Sequence, residues 1–280
     1  MAQRPFLSLY QTFTGVMMKT LVAICILFLL TACTFLPSSE STREPDSESD
    51  ISQTSSSKLA WDHDPEALVI QVFSDIGGSA PTAALINQLY VAQVWGDGRI
   101  TWVTWTDDFQ RQVWQGQLSE AEMASLLETI DDKGFFRLKA RYAPRENVMD
   151  GSTIGIKVYL LERSQEVSEY DSGAPDRFHE LFDLLISGAG ADGTPYVPQS
   201  GQLDAREIDA REGREYPIWD ATALGLDLHD AARVWVEGDA LLTAWEVINQ
   251  SSSFPIVMQG DTYFELHLRL PEMGMMAPLP

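Results

Sequence analysis

The sequence predicts an α+β fold, an antiparallel sheet with two amphipathic helices on one face, followed by a smaller β-rich C-terminal part. Three observations lead there. Short β-branched or alternating apolar runs recur between Ala67 and Tyr170, each bounded by turn residues. Two stretches, near residues 120–133 and just after Gly173-Ala-Pro175, switch to the 3.6-residue period of a helix. The order of strands, helix, strands, helix brings neighbours together as hairpins and leaves the helices to cover one side of the sheet.

Ala67–Ser74 is the first short β-branched run. Gln88–Trp95 and Arg99–Trp105 then flank Gly96-Asp97-Gly98, a hairpin signal, and Arg111–Leu118 adds a further strand. Ser119-Glu-Ala-Glu122 forms a capping box, in which the two side chains satisfy the first free amides of a helix. Met123, Leu126, Leu127 and Ile130 follow at i, i+3, i+4 and i+7, and Gly134 stops the helix. Ile154, Ile156, Val158 and Leu160 alternate on one strand face, and Gln165–Tyr170 returns beside them. The second helix opens at Gly173-Ala-Pro175, carries Phe178, Leu181, Phe182 and Leu185 as its stripe, and ends at Ser187-Gly188.

Residues 59–187 are thus an α+β domain, and the Gly- and Pro-rich stretch 188–201 reads as a linker or long loop. Residues 202–280 form a small β-rich C-terminal domain or an extension of the same sheet. Strand-like runs occur there at Tyr216–Trp219, Arg233–Val236, Pro255–Gln259 and Tyr263–Leu270, with a helix over Asp239–Ile248. The end, Met273-Gly-Met-Met276-Ala-Pro-Leu-Pro280, reads as a loose tail.

Composition limits the function. A chain of 280 residues that is 45% hydrophobic, with 8 Trp, 12 Phe and 8 Tyr, is not wholly disordered. Its 41 acidic against 19 basic residues, a net charge of −22, repel phosphate backbones, so no nucleic-acid partner is expected. Both cysteines, Cys25 and Cys33, lie near the start, which leaves no thiol for a disulfide framework, a Cys-ligated zinc or thiol catalysis in the folded part.

The N-terminus is the most informative stretch. Leu21–Leu30 is a continuous apolar run behind Lys19 and ahead of the small residues Thr31 and Ala32, the layout of a secretory signal. Crossing a bilayer takes about 17–25 apolar residues, more than this run supplies. Leu30-Thr31-Ala32-Cys33 resembles the lipobox of bacterial lipoproteins. The resemblance implies that residues 1–32 are a cleaved signal peptide and that Cys33 becomes the acylated mature N-terminus. Lipid chains such as palmitate would then hold it to the extracytoplasmic face of the membrane. Two acyl chains on one residue give stable anchoring where a single chain is marginal. Cleavage removes Arg4 and Lys19 and no acid, leaving 17 basic against 41 acidic residues, or −24. Residues 1–16 sit far from the apolar run, so Met17 or Met18 is an alternative start. Residues 33–58, dominated by Ser, Thr, Glu, Asp and Pro from Pro37 on, read as a disordered tether.

The Asp97-Gly-Arg hairpin, the Leu118-Ser-Glu-Ala-Glu122 helix start, the Asp150-Gly-Ser-Thr strand and the Gly173-Ala-Pro helix resemble domains of unknown function in bacterial envelope proteins. That likeness spans residues 67–187 and implies no activity.

Chemistry-bearing motifs are sparse. His63, His179, His229 and His267 lack metal-ligand spacing, and no metal or cofactor is expected. Neither a His-Glu-x-x-His pair nor a Gly-x-Ser-x-Gly elbow occurs, and Gly77-Gly78-Ser79 lacks the helix start of a phosphate cradle. Acid pairs such as Asp62/Asp64, Asp107-Asp108 and Asp131-Asp132 arise as solvated faces in so acidic a chain. Trp95, Trp102, Trp105 and Trp114 gather in the first hairpins as a candidate binding face, with alternation placing Trp102 and Trp105 on opposite sides. Trp219, Trp235 and Trp245 mark the C-terminal part. The expectation is a membrane-anchored extracytoplasmic lipoprotein, a non-enzymatic binding or envelope-structure protein with a glycan or protein ligand. The alternative is a carboxylate-based hydrolase of cell-wall or extracellular glycans, which requires a cleft with two facing acids of unequal pKa.

Overall fold

Hairpins dictate most of the first sheet. In the computed structural model, which describes residues 59–75, 81–144, 148–149, 151–209, 215–251 and 254–273, the chain first forms β1 (Leu68–Asp75), a helical turn α1 (Thr82–Ile86), β2 (Ala92–Trp95), β3 (Arg99–Trp105) and β4 (Arg111–Gln117). Helix α2 (Glu120–Asp132), β5 (Arg141–Tyr142), β6 (Thr153–Tyr159), β7 (Ser164–Tyr170), α3 (Asp176–Ile186) and β8 (Thr194–Pro195) follow. These eight strands lie in the order β5-β7-β6-β1-β2-β3-β4-β8. The expectations for the signal peptide, Cys25, Cys33, the tether, Gly77-Gly78-Ser79, Asp150 and residues 274–280 fall outside the described residues.

The register sorts side chains by face. Ile70 pairs with Val94 and Val158, and Val72 with Ala92 and Ile156, so one face is a continuous apolar surface. Met123, Leu127 and Ile130 of α2 and Phe178, Leu181 and Leu185 of α3 complete that core. Burying each such side chain contributes about 1.5–3 kcal/mol. The capping box forms as expected: the Ser119 hydroxyl accepts from Glu122 N at 3.3 Å, and Ser119 N donates to Glu122 Oε2 at 2.7 Å. The opposite face carries a polar row across five strands, Lys157, Gln71, Gln93, Thr101 and Gln115 in register.

Two details depart from the expectation. The sheet is mixed, because β5, reached after the chain has passed along α2, joins β7 in parallel. The Gln88–Trp95 run is extended only from Ala92, since Asn87 closes α1 and Gln88–Val91 lead into the strand.

Residues 188–196 run against the first sheet, buried at Gly188 and Tyr196 and exposed over 192–195. A Cβ on Gly193 would lie 2.6 Å from the Trp102 ring, and one on Gly188 2.9 Å, so only glycine lets this segment close over the indole. Thr194 and Pro195 then pair with Gln115 and Trp114, and Tyr196 is buried in the next core.

The remaining chain forms β9 (Gly201–Ile208), α4 (Ala221–Leu224), β10 (Val234–Val236), α5 (Gly238–Gln250), β11 (Ile256–Gln259) and β12 (Thr262–Arg269), with sheet order β10-β9-β12-β11. The sequence reading missed β9, the second strand in. It expected a strand over Tyr216–Trp219, where the structure has a single bridge between Ile218 and Met258. Leu203, Leu266 and Leu268 face Leu241, Ala244 and Ile248 of α5 in a core that also takes Val103 and Val113 from the first sheet. Met273 is buried in that core too, so the expected loose tail is corrected at its first residue.

A buried polar seam joins the sheets. Asn87 donates through Nδ2 to Leu266 O at 3.0 Å and accepts from Leu268 N at 2.9 Å, completing the free edge of β12 as a short strand would. Arg111 donates to Asn87 O at 2.7 Å and to Asn249 Oδ1 at 2.7 Å, and its guanidinium lies over Trp245. Burial lowers the Arg111 pKa to about 10, so it stays charged at neutral pH.

Candidate functional site

The four tryptophans of the first hairpins do not share an exposed surface. Trp102 and Trp114 are cross-strand partners with stacked rings 6.5 Å apart, on the helix-covered side beneath residues 188–193. Trp95 is buried with the Arg99 guanidinium 4.5 Å from its ring. Trp105 alone is exposed, at 52%, on the opposite side from Trp102 as alternation requires. Near it at the β3–β4 turn is Phe109, exposed and in a left-handed backbone conformation with φ 59°.

Two larger clefts flank the first sheet. One, about 520 Å³, is lined by Ala67, Leu68, Val69, Tyr159, Leu160 and Leu161 with a single acid, Asp62. The other, about 250 Å³, sets Trp61 and His63, stacked 4.5 Å apart, against Glu120, Ala124 and Glu128 of α2. Those two glutamates are eight residues apart on one helix, about 12 Å along its axis at about 1.5 Å per residue. The acid pairs singled out from sequence have local duties or face solvent. Asp62 and Asp64 each accept a backbone amide two residues on, Asp131 pairs with Arg163 at 3.0 Å, and Asp107-Asp108 is exposed.

The histidines separate by environment. His179 lies 3.5 Å from the buried Glu169, whose other oxygen accepts from Ala174 N ahead of α3. His229 contacts Asp227 at 2.9 Å. The Gln259 amide and the His229 backbone N–H hold the exposed Asp227 carboxyl down to about 2. No group of three or more His, Cys, Asp or Glu among the described residues could hold a metal.

His267 differs from the rest. It is 2% exposed, in the middle of β12. Alternation puts Leu266 and Leu268 into the core and sends Glu265, His267 and Arg269 to the other face of the second sheet, opposite Arg206, Asp204 and Gln202 of β9. On β10, Trp235 pairs with Gln202 and is 63% exposed on that same face. The imidazole Nε2 lies 2.9 Å from Glu265 Oε1. Nδ1 is buried, 3.8 Å from Asp204 Oδ2, and has no hydrogen-bond partner among the described residues. Asp204 is held by Arg206 at 3.1 Å. A small, partly open cavity of about 10 Å³, lined by Ile86, Gln202, Asp204, Arg206, Arg233, His267 and Arg269, adjoins the ring. Arg233, with φ 58°, and Arg269 make no ion pair among the described residues. The sequence reading missed this cluster. Its signal was there in the alternation of charged residues along Asp204, Arg206 and Glu265, His267, Arg269.

The fold is that of an α+β protein with a mixed eight-stranded sheet and a second, four-stranded antiparallel one. Residues 88–187 match the model of a family described as Domain of unknown function (DUF6438), covering β2 through the end of α3. That match leaves β1 and the second sheet outside it. No curated protein and no solved structure matches the chain. Among the described residues no helix is long and apolar enough to cross a membrane.

Proposed function

We propose that this chain is an extracytoplasmic lipoprotein, held at the membrane by lipid on Cys33, whose folded part is a non-enzymatic binding or envelope-structure module. The observation that carries the location is Cys33 itself, directly after Leu30-Thr31-Ala32 and a run too short to span a bilayer. The 26 residues from Cys33 to Lys58, poor in apolar side chains, act as the tether. The surplus of acids, 41 against 19, keeps the module off anionic headgroups and nucleic acid and leaves a glycan or protein as its ligand.

Recognition is favoured over hydrolysis by where the acids sit. The 520 Å³ cleft has one carboxylate, and the two in the 250 Å³ cleft are spaced along a helix rather than opposed. Metabolic labelling with an alkyne fatty acid tests the anchor: the native chain takes up label and fractionates with membranes, while Cys33→Ser does neither. Equal labelling of both would remove acylation at that position.

A further inference from the structure

We propose that the polar face of the second sheet binds a tetrahedral oxyanion of the phosphate class at His267. This site is separate from the lipid anchor and lies outside the matched residues 88–187. Three features converge on it. First, Arg233 and Arg269 present guanidinium groups with no ion pair among the described residues, in a chain whose 41 acids outnumber its 19 bases. Second, Nδ1 of a ring that is 2% exposed has no hydrogen-bond partner among the described residues, Asp204 Oδ2 standing 3.8 Å away. A buried ring nitrogen in that condition is costly unless something fills the space beside it. Third, that space exists, a small, partly open cavity of about 10 Å³ with room for one oxygen-sized atom.

An anion oxygen in the cavity meets Nδ1 of His267, with Asp204 Oδ2 3.8 Å from that nitrogen, while Nε2 lies against Glu265 Oε1. The remaining oxygens project toward Arg233 and Arg269. The other charged groups on this face already have partners: Asp204 with Arg206, and Glu265 with the imidazole. The donors come from the approach to β10 on one side and from β12 on the other, and α1 contributes only the apolar Ile86. Donors spread in this way suit a tetrahedral ligand better than a planar carboxylate, which offers two oxygens in one direction. Trp235, exposed beside Gln202 on the same face, provides a flat surface next to the anion for a group esterified to it.

Isothermal titration of the full chain in mild detergent, at matched ionic strength in chloride, is the test. Inorganic phosphate is expected to bind saturably with Kd on the order of 1 mM or tighter. Arg233→Gln and Arg269→Gln, at positions on the rim rather than in the core, should each weaken it about tenfold, a loss equivalent to about 1.4 kcal/mol. Arg141→Gln, on the far sheet, should leave it unchanged. Glucose 1-phosphate binding more tightly than phosphate, with the gain lost in Trp235→Ala, would identify a phosphate ester as the ligand; equal affinities would identify free phosphate. No saturable heat with phosphate, equal weakening by Arg141→Gln, or acetate binding as well as phosphate would each overturn the proposal.

Discussion

The two sheets use their surfaces differently. In the first, covered by α2 and α3, almost every apolar position of β1, β2 and β6 on the helix side is buried, and the other side carries a polar row from Lys157 to Gln115 beside Val103 and Val113, which join the second core. In the second, one face of β9 and β12 is equally apolar, but the other gathers Asp204, Arg206, Glu265, His267 and Arg269 around a ring that solvent scarcely reaches. The first sheet hides what is greasy. Both also bury ionisable groups, which is costly unless partners are provided: Arg111 and Glu169 of the first sheet are hydrogen-bonded, whereas Nδ1 of His267 in the second has no hydrogen-bond partner among the described residues.

The seam between the sheets offers the sharpest test of whether they stand or fall together. Asn87→Ala strips Leu266 O and Leu268 N of their partners, both within a buried edge. Leaving buried backbone groups unpaired costs about 1–3 kcal/mol each, so urea unfolding should show a loss of about 2–5 kcal/mol. Amide exchange should accelerate at Leu268 more than at Ile70. A loss under about 0.5 kcal/mol, the scale of an ordinary surface substitution, would mean that the second sheet holds without the seam.

A smaller effect is expected on the first sheet's side. Ser119→Ala removes the hydroxyl that caps α2. The cost should be about 1 kcal/mol in the same unfolding experiment, with the β12 amides unaffected. Parallel acceleration in β12 would show that the two regions open as one.

The smallest effect is a pH dependence confined to the second sheet's rim. Asp227 titrates at about 2 in the folded chain, against 3.8 as the reference for an unperturbed Asp, because Gln259 and the His229 amide bond its ionised form. The carboxylate therefore stabilises the fold above about pH 4, and that contribution fades as pH falls through about 2. Carbon-detected NMR titration of Asp227 should report the low value, and Gln259→Ala should return it toward the ordinary range. An unchanged titration in that variant would assign the shift to His229, through its backbone N–H and its ring.

Much of the first region could be read directly. The capping box at Ser119, the stripe from Met123 to Ile130, the Gly96-Asp97 hairpin and the alternation over Ile154–Leu160 are local signals, each a few residues long, and each formed. Strand β9 escaped because Gln-Leu-Asp-Ala-Arg-Glu-Ile, residues 202–208, carries as many polar groups as a loop; only its pairing with β12 makes Leu203 and Ala205 inward residues. The tryptophans were legible as a pair on opposite sides, Trp102 against Trp105, and illegible as a surface. The segment that covers Trp102 and Trp114 arrives from residues 188–195, and nothing in the hairpins announces it.

What the sequence determined by itself was local: which stretches are helical or extended, the greasy run before Cys33, the acidity of the chain and the absence of thiols beyond residue 33. The tertiary structure decided which faces are wet. It buried Trp95, Trp102 and His267, left Trp105 and Trp235 in solvent, and set Arg111 between Asn87 and Asn249. Periodicity tells a residue's side but not what lies against that side. Asn87 and Leu266, 179 residues apart along the chain, meet only once both sheets have closed.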